Sequence, residues 1–309
     1  MPVRAEAAEP APGPVPVISP LVRRLARQNG VELRTLTGSG PDGLILRADV
    51  ERAIGAAGAP AAAEPSAAAA SAPAADAGEV RIPLRGLRGV VADKMSRSRR
   101  EIPEATCWVD VDATELLAAR RAMNAAGGPD APKISLLALL ARICTAALAR
   151  YPELNARVDT EAREIVRLER VHVGFAAQTD RGLVVPVVRD AHARSAESLS
   201  EELGRLTGAA RDGSLTPGEL TGSTFTLNNY GVFGVDGSTP IINHPEAAML
   251  GVGRIVPKPW VYEGELAVRQ VTQLSLTFDH RVCDGGVAGG FLRYVADCVE
   301  QPAVLLRGV

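Results

Sequence analysis

The sequence predicts an α/β protein: a mixed sheet with helices packed on it, preceded by a small helical unit on a flexible Ala/Pro linker. Three observations predict this. From residue 79 onward helical and strand periodicities alternate along the chain. Residues 56–78 are almost wholly Ala, Pro, Gly and Ser, a composition that buries no core. Residues 17–55 hold two short amphipathic segments around a glycine-containing loop. With 309 residues and single domains running to roughly 100–200 residues, one main core and a satellite fit the length. The organisation expected is a disordered N-terminal segment at 1–16, a helical unit at 17–55, the linker at 56–78 and a large domain at 79–309.

In the small unit, Ser19 is a candidate N-cap, Pro20 takes the first helical position and Gly30 closes the helix. Leu21, Val22, Leu25 and Ala26 form its apolar stripe. Gly38, Gly40 and Gly43 lack the following GK[ST] of a phosphate loop and read as turn residues. A second helix is expected over 48–54. Six arginines (23, 24, 27, 34, 47 and 52) stand against Glu32, Asp42, Asp49 and Glu51, for a net charge of +2. Taken alone, the Arg23, Arg24 and Arg27 cluster reads as a solvated helix face.

The first strong helix of the large domain is expected from Asp112, whose spacing to Glu115 is that of a capping box, toward Gly127. Further helices are expected after Ser135, ending before Pro152, from near Ser195, and over 287–299. Strands are expected at 105–111, 171–177, 183–188, 224–228, 248–252 and 273–279, which are rich in Val, Leu, Phe and Thr. The most apolar stretch, 134–151, carries Arg142 and Arg150 and falls short of a span of about 20 apolar residues, so it is a buried helix and no membrane segment is expected.

Charge is nearly balanced, 34 basic against 36 acidic residues, which gives no basic footprint for nucleic acid. Cys107, Cys144, Cys283 and Cys298 have neither CxxC spacing nor a second ligand cluster, so no metal is expected and the thiols read as reduced. The N-terminus lacks the order of a secretory signal, and a cytoplasmic location is expected.

The segment LSLTFDHRVCDGGVAGGF delivers His280 from a strand into a turn, with Asp284 four residues on. Alone, HxxxDG reads more readily as a structural histidine. After an apolar strand and before a glycine-rich helix, it resembles the active-site motif shared by the acyltransferases of 2-oxo acid dehydrogenase complexes and chloramphenicol acetyltransferase. The run SPLVRRLARQNGVELRTLTGSGPDGLILRADVERAI resembles the peripheral subunit-binding domain of those acyltransferases. VHVGFAAQTDRGLVVPVVRDA and STPIINHPEAAMLGVG follow in the family's order, so the likeness covers essentially all of 79–309.

That resemblance implies a chloramphenicol-acetyltransferase-like catalytic domain moving an acyl group, branched-chain or acetyl, between a dihydrolipoyl thiol and coenzyme A. His280 would be the general base: a thiol of pKa near 8.5 is mostly protonated at pH 7, whereas imidazole titrates near 6.5. Asp284 would orient the loop, the family carboxylate being held by a basic side chain, and Gly285 would allow a turn that a side chain would obstruct. In STFTLNNYGVFG, Asn228 stands where the family commonly has Ser or Thr, the oxyanion donor; an amide can donate as well, or Asn228 only caps a strand end. Arg23, Arg24 and Arg27 would grip dihydrolipoamide dehydrogenase or the 2-oxo acid decarboxylase, with Leu44 replacing an arginine common in the family. Trimers would assemble into a cubic or icosahedral core, with the histidine from one chain and the oxyanion donor from its neighbour.

The family's lipoyl domain is not expected within these residues, since the segment before Val17 is short and has no lysine; the lipoyl group would come from another domain. His172, expected inside a strand, His192 in a loop and His244 beside Pro245 read as structural. Cys283 needs no nucleophilic role, because transfer between two thiols proceeds directly. The competing reading is a core and partner-binding scaffold in which Asn228 slows transfer. A freestanding acyltransferase on another acceptor is a third, against which the subunit-binding unit argues.

Overall fold

The computed structural model describes residues 17–308 except 18, 58–77, 129–130 and 181. The N-terminal segment and nearly all of the linker expected from sequence lie outside the described residues. The chain divides into two compact units, Met1–Arg81 and Ile82–Val309.

In the first unit, α1 (Pro20–Gln28) starts with Pro20 at its first position, and Ser19 occupies the cap with extended backbone but no side-chain cap bond. Gly30 follows the helix at φ 65°, a conformation that costs glycine little. The second helix, α2 (Arg47–Ala57), extends three residues beyond expectation into the Ala-rich stretch, as alanine's helix propensity favours. Val17, Val22, Ala26, Ile45 and Val50 form the core. Buried Asp49 accepts the amides of Ser39 (3.0 Å) and Leu46 (2.9 Å), and these bonds hold its carboxyl at about 2. Gly38 backs onto the Gly43 and Leu44 main chain, where a Cβ would collide.

The second unit runs α3 (Gly86–Glu101), β1 (Glu104–Asp112), α4 (Thr114–Ala126) and α5 (Leu136–Arg150). It continues with β2 (Ala156–Asp159), β3 (Glu164–Arg167), β4 (Val173–Phe175), β5 (Ala177–Thr179), β6 (Gly182–Val184) and β7 (Val187–Val188). Then come α6 (Ala196–Asp212), β8 (Phe225–Asn229), β9 (Ala248–Val252), β10 (Val256–Tyr262), β11 (Glu265–Asp279) and α7 (Gly285–Glu300). The main sheet has the order β1-β11-β9-β8-β4-β7, with β10 also pairing β11. β4, β8 and β9 are mutually parallel and the other pairings antiparallel, so the sheet is mixed as expected. The apolar face of α7 packs on β1 and β11, and α5, buried nearly all round, packs against α6 and α7.

Ser135 and Ser195 cap α5 and α6 through their side chains, as their sequence positions suggest. Asp112 does not open a capping box. It is the last residue of β1; its carboxylate accepts the Thr114 amide and hydroxyl and pairs with Arg269, which also reaches Glu115. The strands expected at 171–177 and 183–188 are each broken in two, the second at Pro186, which has no amide to donate. His172 lies one residue before β4 rather than inside a strand.

Candidate active site

β11 determines where His280 sits. Its last amide, on Asp279, donates to the Ala247 carbonyl at 2.8 Å, and the His280 amide donates to Pro103 at 3.1 Å. The Asp279 side chain is only 2% exposed. Arg281 closes on its carboxylate through Nε (2.9 and 3.1 Å) and Nη2 (2.6 Å) while donating its amide to the same group. This fork ties both sides of the histidine to one carboxylate. The imidazole is exposed, lies 5.5 Å from the Phe278 ring, and has no side-chain hydrogen bond among the described residues.

Asp284 is the N-cap of α7, accepting the amides of Gly286 (2.9 Å) and Val287 (3.4 Å). No basic side chain of the described residues holds it; the arginine-bound carboxylate of this motif is Asp279. Asp284 therefore orients the turn by starting the helix. Gly285 does not relieve a collision. A Cβ added there meets nothing within 4 Å and its φ is not positive. Cys283 is half-buried, and burial with the nearby Asp284 charge pushes its thiol up to about 11. It is a thiol at neutral pH, which weakens it as a nucleophile.

Asn228, half-buried on β8, has no side-chain partner among the described residues, so its amide is free to donate. It stands level with Gly251 on β9, which is level with Ser275 on β11. His280 lies five residues past Ser275. At about 3.4 Å per residue and about 4.8 Å per strand, the two side chains sit roughly 20 Å apart within one chain. The single chain does not bring the two candidates together.

The other histidines have local partners. His172 Nδ1 accepts the Asp190 amide (3.0 Å), and burial pushes its pKa down. His192 Nδ1 accepts the Val171 amide (3.2 Å), and His244 Nε2 lies 3.0 Å from Glu101. Sequence reasoning passed over two features. The Asp279–Arg281 fork lay within the motif, but its weight depends on burial. A cavity of about 630 Å³, partly lined by Lys94, Arg157, Arg167 and Arg170, gathers residues from separate segments, and no linear pattern marks it.

In the first unit, Arg23 directs its guanidinium to the Val17 carbonyl (2.8 Å from Nη2) and Arg27 reaches the Arg23 carbonyl (3.4 Å). Arg24 is exposed and has no side-chain partner among the described residues. Among the described residues no group of three or more His, Cys, Asp or Glu is placed to hold a metal ion, and no helix is long and apolar enough to cross a membrane.

An exposed imidazole at a strand end of a mixed sheet, in a chain that also carries a separate small helical unit, is the arrangement on which the family matches fall. Residues 76–307 match the model of the catalytic domain of 2-oxoacid dehydrogenases acyltransferases, and residues 16–51 that of the E3 binding domain. The chain belongs to the 2-oxoacid dehydrogenase acyltransferase family and transfers acyl groups between dihydrolipoyl and coenzyme A thiols. It is 43% identical to the lipoamide acyltransferase component of the branched-chain alpha-keto acid dehydrogenase complex of Pseudomonas aeruginosa, over 95% of this chain and 68% of that protein. It is 36% identical to the acetyltransferase component of the Bacillus subtilis pyruvate dehydrogenase complex, over 97% and 70%. The cubic core of a pyruvate dehydrogenase complex superposes with a TM-score of 0.69 at 32% identity, covering 74% of this chain and 94% of that one.

Proposed function

We propose that this chain transfers a branched-chain acyl group, with His280 as general base and Asn228 of a neighbouring copy as oxyanion donor. The observation that carries the catalytic assignment is the exposed imidazole at the end of β11, which has no side-chain hydrogen bond among the described residues. In the direction of coenzyme A acylation, His280 takes the proton of the coenzyme A thiol as its sulfur attacks the thioester carbonyl of the acyl-dihydrolipoyl group. The carbonyl oxygen becomes an oxyanion, which the Asn228 amide receives as a hydrogen-bond donor. As the intermediate collapses, the carbon–sulfur bond to the dihydrolipoyl group breaks and the imidazolium returns the proton to that leaving thiolate. Asp284 and Asp279 position the turn and stay outside the proton transfer.

The branched-chain assignment follows the higher identity to the branched-chain relative, 43% against 36% for the acetyl-transferring one. The lipoyl group arrives on a lipoyl domain outside these residues. The helical unit recruits dihydrolipoamide dehydrogenase or the decarboxylase, with Arg24 the most available cation and Arg23 and Arg27 beside it. Copies assemble as trimers within a larger core, a reading supported by the likeness to a cubic core, and the complex works in the cytoplasm.

The test is transfer from acetyl-, isobutyryl-, isovaleryl- and succinyl-CoA to free dihydrolipoamide, comparing the chain with His280→Ala. Preference for the branched donors and a kcat about 10²- to 10⁴-fold lower in the variant are expected. Acetyl preference overturns the acyl assignment. A variant as active as the parent overturns the base, and no transfer from any donor in assembled protein leaves a scaffold.

A further inference from the structure

A second cavity, of about 320 Å³, is lined by the last two turns of α5 and by the segments 152–155 and 167–171. Neither His280 nor Asn228 lines it. Its volume is at the lower end of the range of about 300–1,000 Å³ that small-molecule sites occupy. Leu148 and Val171, 2% and 6% exposed, give it an apolar wall.

Asn155, 2% exposed, also lines it. Its Nδ2 donates to the carbonyls of Leu168 (2.7 Å) and Arg170 (3.1 Å), while its buried Oδ1 accepts no hydrogen bond among the described residues. The amide cannot turn over to change this, because its oxygen would then face two carbonyls. Buried polar atoms are normally paired, so a donor is missing at Asn155. The rim is charged with both signs. Arg167 and Glu169 are exposed, and neither side chain has a hydrogen-bond or ion-pair partner among the described residues. His192 adds a neutral donor: its Nδ1 accepts the Val171 amide at 3.2 Å, which leaves the ring proton on an unpartnered Nε2.

A carboxylate without an amine would suit Arg167 and His192 but meet the charge of Glu169 and leave Asn155 Oδ1 unpaired. An amine without a carboxylate would meet the charge of Arg167. A zwitterion with an apolar tail satisfies every group at once. We propose that this cavity binds an aliphatic α-amino acid of the size of valine or leucine. Its ammonium group supplies the donor that Asn155 Oδ1 lacks and pairs with Glu169. Its carboxylate takes the Arg167 guanidinium and the His192 Nε2 proton. Its side chain lies against Leu148 and Val171. The site is separate from the acyl-transfer chemistry and does not depend on it.

The test is calorimetric titration of the full assembled chain with leucine, valine, 4-methylpentanoate, which lacks the ammonium group, and 3-methylbutylamine, which lacks the carboxylate. Both amino acids are expected to bind, and each half-ligand at least about tenfold more weakly than leucine. Arg167→Gln should raise the Kd of leucine about tenfold and leave that of the amine no higher, whereas Glu169→Gln should weaken leucine and spare 4-methylpentanoate. Asn155 also holds two carbonyls, so Asn155→Ala can fail to fold. His192→Asn keeps an acceptor for the Val171 amide while removing the Nε2 donor, and it should weaken leucine and 4-methylpentanoate together. Arg211→Gln, on α6 outside the cavity, should change no Kd. The proposal is overturned if neither amino acid binds, which would leave water as the partner of Asn155. It is overturned equally if a half-ligand binds as tightly as leucine, or if the Arg167, Glu169 and His192 variants all bind leucine like the parent.

Discussion

An imidazole with no side-chain hydrogen bond among the described residues can exchange protons with a thiol, and the residues around His280 divide the remaining work. Cys283 is kept as a thiol by burial, so Cys283→Ser should retain transfer within about twofold, whereas a nucleophilic role predicts a loss on the scale of about 10²-fold or more. Asn228→Ala should lower kcat about 10²- to 10³-fold with little change in KM, the signature of a donor used only in the transition state. Asn228→Ser separates donor from scaffold: activity near the parent supports the amide as a working substitute, and a sharp rise would mean that Asn228 impairs the site. His280, Asp284 and Asn228 could be nominated from the sequence because the motifs that carry them sit in two short windows. Gly285 was misread because a collision belongs to three-dimensional surroundings, and Asp279 was passed over because its carboxylate matters only once buried.

Elements with one apolar face announced themselves, and those without did not. α7 lay within two residues of its expected place because it turns buried residues to the sheet at helical spacing, and α5 because its apolar run is bounded by Ser135 and Pro152. α3 was not anticipated: Ser98 is buried while Val90 and Val91 are exposed, so no apolar stripe marks it. β10 was hidden by Pro257 and Pro259, which an edge strand tolerates where their missing amides face away from the ladder. In the first unit the loop before α2 depends on the Asp49 carboxylate, whose native pKa of about 2 lies below the ordinary 3.8. A depressed acid contributes stability that is complete above its unfolded pKa and is lost as pH falls through its folded one. Backbone NMR of residues 19–57 in the intact chain should therefore show unfolding temperature independent of this group above about pH 4, falling toward pH 2. Asp49→Asn should flatten that acid limb; an unchanged limb would remove Asp49 as its source.

At the scale of the whole molecule, one distance decides how many chains make a site. His280 and Asn228 lie roughly 20 Å apart by strand register, further than one thioester carbonyl can bridge. If both act on the same carbonyl, the site must be shared between copies, and inactive variants should complement each other. In a cyclic trimer each site takes the histidine of one chain and the asparagine of the next, so every mixed ring of His280→Ala and Asn228→Ala subunits contains one intact pair. With equal co-expression three rings in four are mixed, and activity should recover to about one quarter of the parent's, whereas the separately assembled variants stay low. A co-assembled sample no more active than the average of the two variants, with mixed rings demonstrated by mass spectrometry, would place the donor elsewhere and leave His280 to find its partner within its own chain.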